Sequence, residues 1–294
     1  MAHSENTYSS ESQLSVHIYS SDKKNRSIRT IFKSIRKEFP AAHALGFRFA
    51  ERNLKAKYRQ SLLGVFWAFL PPLATSLIWI VLNKTNVVKF QDVGVPYPLF
   101  VITGTVLWSV FANAMQMPMQ TMQANTGILV KINFPREALL VNAFYEIVFN
   151  SLISIIIIVI GLLFFQPNLT FQSLLFIPML AVLIVLGLSL GLLILPISIL
   201  YKDIQFALPA FLQFAMYLTP VIYAQPLYKG IAKILLLNPV SPVLTSARTW
   251  LFGLETVVPL WQIGVVASAS VLLLLFGIFL QRITMQILIE RMGS

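Results

Sequence analysis

From Ile147 to Tyr201 the chain carries no charged side chain. A helix rising about 1.5 Å per residue crosses a hydrocarbon core with roughly 20 apolar residues. The stretch is therefore too long for one crossing, and the breaker cluster Gln166-Pro167-Asn168 predicts a helical hairpin that turns there. An embedded hairpin in mid-chain sets the terms for everything around it. Only 11% of the 294 residues are charged, against about 25% in soluble domains, while 57% are apolar and the mean hydropathy is +0.76. Too little polar surface remains to cover a water-soluble core, which excludes an ordinary soluble enzyme.

Charge-free windows then predict six spans. The first runs from Ser61 to Leu82 with a kink expected at Pro71-Pro72. The second runs from about Tyr97 to Met117, the third begins after Pro135-Arg136-Glu137 and continues to Phe165, and the fourth runs from about Leu174 to Ile199. A fifth covers about Phe206 to Tyr223 and a sixth about Leu260 to Leu280. Between the second and third, on the inside, Pro118 to Arg136 reads as a long polar loop with helical character. The segment from Ala224 to Pro259 reads as short re-entrant or interfacial helices broken at Asn238-Pro239 and Pro242, or else as a plain loop, since its apolar runs are too short to span.

The fold class is thus an all-α integral membrane protein. Residues 1–60 hold twelve Lys/Arg against five acids, and the remainder holds ten against six. The Lys/Arg balance places both termini in the cytoplasm. Residues 1–40 read as a disordered basic cytosolic tail, 61–281 as the transmembrane domain and 282–294 as a cytosolic C-terminal segment. No signal peptide is expected, because no apolar core occurs near the start. The basic segment directly precedes a membrane-type sequence, so its counter-charge is lipid headgroup rather than nucleic acid.

Residues 41–60 predict an amphipathic interfacial helix, with Phe47, Leu54 and Tyr58 toward one side and Arg48, Arg52, Lys55, Lys57 and Arg59 toward another. An ordinary basic flank would carry the same residues. Glu146 is the acid well inside a predicted span. An intramembrane carboxylate is a functional candidate, yet it stands close enough to Arg136 for a structural pairing. One carboxylate is not a proton relay, so energy must come from elsewhere. The chain holds no G-x-x-x-x-G-K-[ST] segment, so an ATPase would be a separate subunit. No cysteine is present, and His3, His17 and His43 are irregularly spaced, so no metal site is expected. Paired acids suited to a membrane glycosyltransferase are also lacking.

Phe211, Phe214 and Tyr217 recur at i, i+3 and i+6 in the fifth span, with Tyr223 at its end. Such a stripe fills a core, faces lipid or lines a path for sugar rings. Trp79, Trp108, Trp250 and Trp261 fall near predicted span ends, where an interfacial belt role suffices. Gly187 and Gly191 form a G-x-x-x-G that permits close helix approach.

The order of several segments is familiar. Leu54-Lys-Ala-Lys-Tyr-Arg-Gln-Ser-Leu-Leu-Gly64 with Trp67 and Pro71, Pro96-Tyr-Pro-Leu-Phe100-Val-Ile-Thr-Gly104 with Trp108, and Asn125 to Glu137 resemble ABC-2 type permeases that export polysaccharides and polyol phosphates. Tyr201-Lys202-Asp203-Ile204, Leu218-Thr-Pro220-Val-Ile-Tyr223 and Leu237-Asn238-Pro239 continue the pattern, which covers about residues 45 to 285.

The resemblance implies a homodimer with a sugar-polymer channel, bound to two copies of an ATPase subunit that holds ATP and Mg. It implies that residues 41–60 form a gate helix and that Asn125, Lys131, Phe134, Pro135 and Arg136 meet the ATPase. Trp67, Phe100, Phe211, Phe214, Tyr217 and Tyr223 would lie along the path. The basic gate helix would meet the phosphate of a lipid-linked polysaccharide of O-antigen type or the membrane's own anionic lipids. Teichoic acid or capsule export, a proton-coupled small-molecule transporter and a membrane scaffold are the alternatives.

Overall fold

The computed structural model describes residues 28–59, 64–87, 94–131, 134–135, 137–167, 169–224, 238–256 and 258–292. The chain divides into two units, Met1–Glu38 and Phe39–Ser294. In the first, the described residues are helical from Ile28. The second holds a helical bundle, and no strand occurs among the described residues.

Helix α1 (Ile28–Arg59) begins well before the boundary expected at residue 40. Ile28, Ile31, Phe32, Ile35 and Phe39 already repeat at helical spacing, and Pro40 lies inside the helix instead of ahead of it. Helix α2 (Phe66–Lys84) runs through Pro71 and Pro72. The prolines leave the carbonyls one turn earlier without helix donors, and the Thr75 and Ser76 hydroxyls turn back onto the helix, donating to the Pro71 and Pro72 carbonyls at 2.9 and 2.6 Å. Helix α3 (Tyr97–Lys131) continues through Pro118, so the second span and the polar segment after it are one rod and not span plus loop.

Helix α4 (Glu137–Phe165) ends where the breaker cluster was expected to stop it. Gln166 takes φ +45°, and a 3-10 turn (Phe171–Leu175) leads into α5 (Phe176–Leu200). Helix α6 (Asp203–Tyr217) has 15 residues and rises about 22 Å. Irregular backbone from Leu218 to Ala224 continues it. Helix α7 (Val240–Leu251) starts directly after Asn238-Pro239 as expected, but Pro242 does not break it. That proline lies in the first turn, where the missing N–H has no helix partner to lose. Helix α8 (Leu260–Met292) runs past the expected end of the sixth span.

Among the described residues, five helical segments, Phe66–Lys84, Tyr97–Leu129, Glu137–Phe165, Phe171–Leu200 and Leu260–Thr284, are long and apolar enough to cross a membrane. The core sits where α5 packs between α3 and α8, with α4 and α2 also against α3. Gly187 and Gly191 make the α3–α5 contact possible: a Cβ there would stand 2.6 Å from the Phe111 carbonyl and 2.3 Å from that of Met115. Ser76 and Thr105, both buried, share a hydroxyl bond of 2.7 Å between α2 and α3. Leu77, Ile78 and Val81 of α2 and Leu272, Leu275 and Phe276 of α8 turn outward.

Candidate transport groove and helix clamp

The bundle is apolar on the outside, yet α2, α3, α4 and α6 enclose a groove of about 510 Å3 with amides and hydroxyls along its wall. Thr105, Ser109, Asn113, Gln116 and Gln120 of α3 recur at intervals of three and four residues, so one helix face carries them all. Between Thr105 and Gln120 that face rises about 22 Å. Asn150, Ser151 and Ser154 of α4 stand across from it, and Gln213 comes from α6. Asn150 Nδ2 donates to Asn113 Oδ1 at 3.3 Å and Gln116 Nε2 to the Ala112 carbonyl at 3.1 Å. The remaining lone pairs and N–H groups are available to a hydroxyl-rich guest or to water.

Of the expected path residues, Trp67 and Tyr217 line this groove. Trp108, expected in an interfacial belt, is buried and lines it as well. Trp250 is also buried, which removes its belt reading, whereas Trp261 is exposed. Phe211 and Phe214 point outward from α6 and are 62% and 71% exposed, away from the groove lining. Of this stripe the structure brings Tyr217 alone into the groove with Trp67. Tyr223 donates to the Tyr217 carbonyl at 3.3 Å.

Phe100 is buried for a different reason. The Arg248 guanidinium of α7, itself 3% exposed, stands 3.9 Å from the Phe100 ring centroid. Its Nη1 donates to the Val221 carbonyl at 2.9 Å and its Nη2 to that of Pro220. Tyr97 donates to the Ile222 carbonyl at 3.2 Å, and Asn238 Nδ2 to Thr219 Oγ1 at 2.8 Å. Irregular backbone inside a membrane protein needs protein partners for its carbonyls. Arg248 and Tyr97 supply them past the end of α6, and Asn238 bonds the Thr219 side chain there. Nothing in the sequence pattern singled out Arg248, because its partners lie 27 and 28 residues away.

At the other end of α3 the structure joins three groups that the sequence presented separately. Arg52 Nη2 donates to Asn125 Oδ1 at 2.7 Å, uniting α1 with the segment expected to meet the ATPase. Asn53 Nδ2 donates to Glu146 Oε1 at 3.0 Å, so the intramembrane carboxylate faces α1 and has a partner there. Phe49 packs edge-on against Phe134, with Arg52 5.1 Å above the Phe49 ring. Tyr145 bonds His43 Nε2 at 2.8 Å and meets Phe47 edge-on. The Tyr58 ring approaches Phe149 at 6.0 Å, and burial, reinforced by the Glu146 carboxylate, pushes its phenol up.

Arg48 and Arg59 are exposed, while Lys55 pairs with Glu51 at 2.5 Å and holds that carboxyl below its ordinary range. Lys57 lines the groove. Pro135 accepts from the Ala138 amide at 3.0 Å at the start of α4. The Lys131 side chain and Arg136 lie outside the described residues. Asn53 was not anticipated, although its place beside Arg52 on the polar side of α1 was there to be read.

Membrane-length helices around a polar groove define a multi-pass membrane protein built to conduct something. The particular family follows from comparison: residues 47–252 match the ABC-2 type transporter family, and the chain belongs to it. That range holds the clamp, the groove and the Arg248 contacts. An O-antigen export system permease protein RfbA from Myxococcus xanthus is 26% identical over 200 residues, covering 67% of this chain and 75% of its own length. Two proteins of the same name from Klebsiella pneumoniae are 25% and 26% identical over 202 residues, covering 67% of this chain and 76% of theirs.

Proposed function

We propose that the chain is the permease subunit of an ATP-driven exporter that moves a lipid-linked polysaccharide of O-antigen type across the cytoplasmic membrane. The polar groove is the observation that carries this reading: amides and hydroxyls run along about 22 Å of one helix face, and bonds to neighbouring helices use only part of their capacity. The permeases it is similar to are named for O-antigen export. ATP and Mg are bound by a separate ATPase, present in two copies with two copies of this chain.

Two side-chain links support a six-crossing topology with both termini on the ATPase side. Arg52–Asn125 sets α1 beside the end of α3, as two crossings by α2 and α3 require. Arg282 pairs with Glu137, setting the end of the last span beside the start of α4. An even number of crossings from α4 onward fits that pairing, with α6 and its irregular continuation taken as one of them.

ATP binding would act through α3, whose end carries Asn125, and through Phe134. A push there reaches α1 by way of Arg52 and Phe49. ATP can open the path only by stabilising the open state more than the closed one, so these contacts must differ between the two. Affinity purification with the co-expressed ATPase, followed by mass determination of the intact complex and its bound glycolipid, tests the reading. Two permeases with two ATPases and a lipid-linked glycan are expected. A permease that never captures an ATPase would overturn it and return Glu146 to consideration as part of a secondary transporter.

A further inference from the structure

Helix α1 runs parallel to α4. Gly46 lies against Ala138 and Val141, Asn53 bonds Glu146, and the Tyr58 ring approaches that of Phe149. The contacts advance together along both helices, so the pairing has a register. Where α1 comes closest its residues are small: Ala42, Gly46 and Ala50 are buried and follow one another at intervals of four. A Cβ on Gly46 would stand 2.5 Å from the Ala138 carbonyl. No large side chain in that stripe keys α1 into one position along α4.

In this register one polar side chain of α4 is left over. Asn142 is 0% exposed, and neither its Nδ2 nor its Oδ1 bonds a described residue. A buried amide without partners is costly, and a native fold that keeps one has a reason for it. Asn142 precedes Glu146 by one helical turn, and on α1 Asn53 precedes Lys57 by the same interval. Because the helices are parallel, moving α1 one turn toward its own amino terminus, about 5.4 Å, brings Asn53 to Asn142 and Lys57 to Glu146 together. Lys57 is exposed in the present register, 5.6 Å from the Tyr58 ring centroid. Tyr145 keeps an aromatic neighbour after the move, since Phe47 follows His43 at that interval and both rings meet it now. Ala50 comes to the place of Gly46, which requires the two helices to part slightly. Gly64, between α1 and α2 with φ +48° and open space where a Cβ would stand, is a backbone position that absorbs such a change.

We infer that α1 has two registers on α4: the one described, held by Arg52–Asn125 and Asn53–Glu146, and a second one turn away, held by Asn53–Asn142 and Lys57–Glu146. The first leaves Asn142 unmet and the second gives up the charged donor to Asn125, so each lacks something the other has. Exchange withdraws Lys57 from the groove and releases α1 from α3. The inference rests on the export reading for the driver, ATP acting at the end of α3, and on α1 and α4 alone for the two registers.

The chain has no cysteine, so spin labels can be placed at Arg48→Cys on α1 and Ile160→Cys on α4, both exposed and away from the exchanging side chains. Their separation is read by pulsed electron resonance in the permease–ATPase complex diluted with unlabelled permease, with and without ATP and Mg, using an ATPase variant that binds ATP without hydrolysing it. With ATP a second distance, longer by about 5 Å, is expected. Lys57→Met and Asn142→Leu should each shrink the longer population by about fivefold or more, as the loss of roughly one hydrogen bond or ion pair dictates. Asn142→Leu should at the same time raise the unfolding temperature of the permease, an effect opposite to that of losing a merely structural amide. Lys57→Glu with Glu146→Lys should regain the longer distance. In the permease without ATPase, Arg52→Gln should populate it unaided.

A single unchanged distance in a complex that holds its ATPase, or a longer distance that Lys57→Met and Asn142→Leu leave as it was, overturns the inference and leaves the export reading standing. A chain that captures no ATPase but shows the longer distance in Arg52→Gln overturns the export reading and leaves the two registers standing. Neither ATPase nor longer distance overturns both.

Discussion

Asn53 on α1 donates its amide to Glu146 on α4 across 3.0 Å, while Arg52 beside it reaches Asn125 on α3 at 2.7 Å. Adjacent residues on one helix thus hold two different helices. A helix bound only by lipid headgroups could slide independently of the bundle; α1 is tied by these two bonds to α3 and α4.

Breaking the amide side of the first link should leave the Glu146 carboxylate short of a partner. Asn53→Leu is expected to cost about 1 to 3 kcal/mol in thermal unfolding of the detergent-solubilised protein. Glu146→Leu in that background should then cost less than the two singles added together. Strict additivity would mean that the pair does not interact.

The second link separates two neighbouring cations. Arg52→Gln removes a charged donor to Asn125 and should weaken substrate-stimulated ATP hydrolysis by about tenfold, as befits a charge-assisted bond of roughly 1.5 kcal/mol. Lys55→Gln removes only an exposed pair with Glu51 and should leave stimulation within error. Equal loss in both variants would indicate that the helix acts through its net charge instead.

Arg248 should resist conservative replacement. Arg248→Met orphans two buried carbonyls at about 1 to 3 kcal/mol each. Arg248→Lys should restore little, because an ammonium lacks the planar fork that reaches Pro220 and Val221 together and stacks on Phe100. Melting temperature and yield of membrane-inserted protein measure this, and full rescue by lysine would remove the fork from the explanation.

The α3–α5 contact makes a contrast between two glycines. Gly191→Leu forces side-chain atoms into the Met115 backbone and should cost about 3 kcal/mol or more in the unfolding transition. A Cβ at Gly127 meets nothing within 4 Å, so Gly127→Ala should be neutral or stabilising by about 0.5 to 1 kcal/mol. Similar losses at both positions would show that the contact is not as tight as the geometry gives.

Much of the fold was legible because a hydrocarbon core imposes length and polarity on every span. The hairpin at Gln166-Pro167, the limits of α4 and the start of α7 after Asn238-Pro239 fall where breakers and charge put them. Helices α1 and α3 run longer than expected because Pro40 and Pro118 look like stops in one dimension. A proline costs one ladder bond, which packing along a long helix can offset.

The site was legible in kinds of residue more than in their grouping. The polar stripe from Thr105 to Gln120 is periodic and readable in the sequence, although the aromatics of α6 are more conspicuous there. Phe211 and Phe214 turned outward, which a period of three to four residues cannot foretell, since it defines a face without saying what the face meets.

By itself the sequence determined that this is a helical membrane protein with a basic amphipathic helix ahead of its first span, because charge is too costly in lipid to be distributed otherwise. Only the tertiary structure decided that Arg52 meets Asn125, that Asn53 meets Glu146, and that Arg248 closes on the carbonyls beyond α6. Those pairings join residues 73, 93 and 27 to 28 positions apart, and hydrogen bonds act over about 3 Å of space regardless of chain separation.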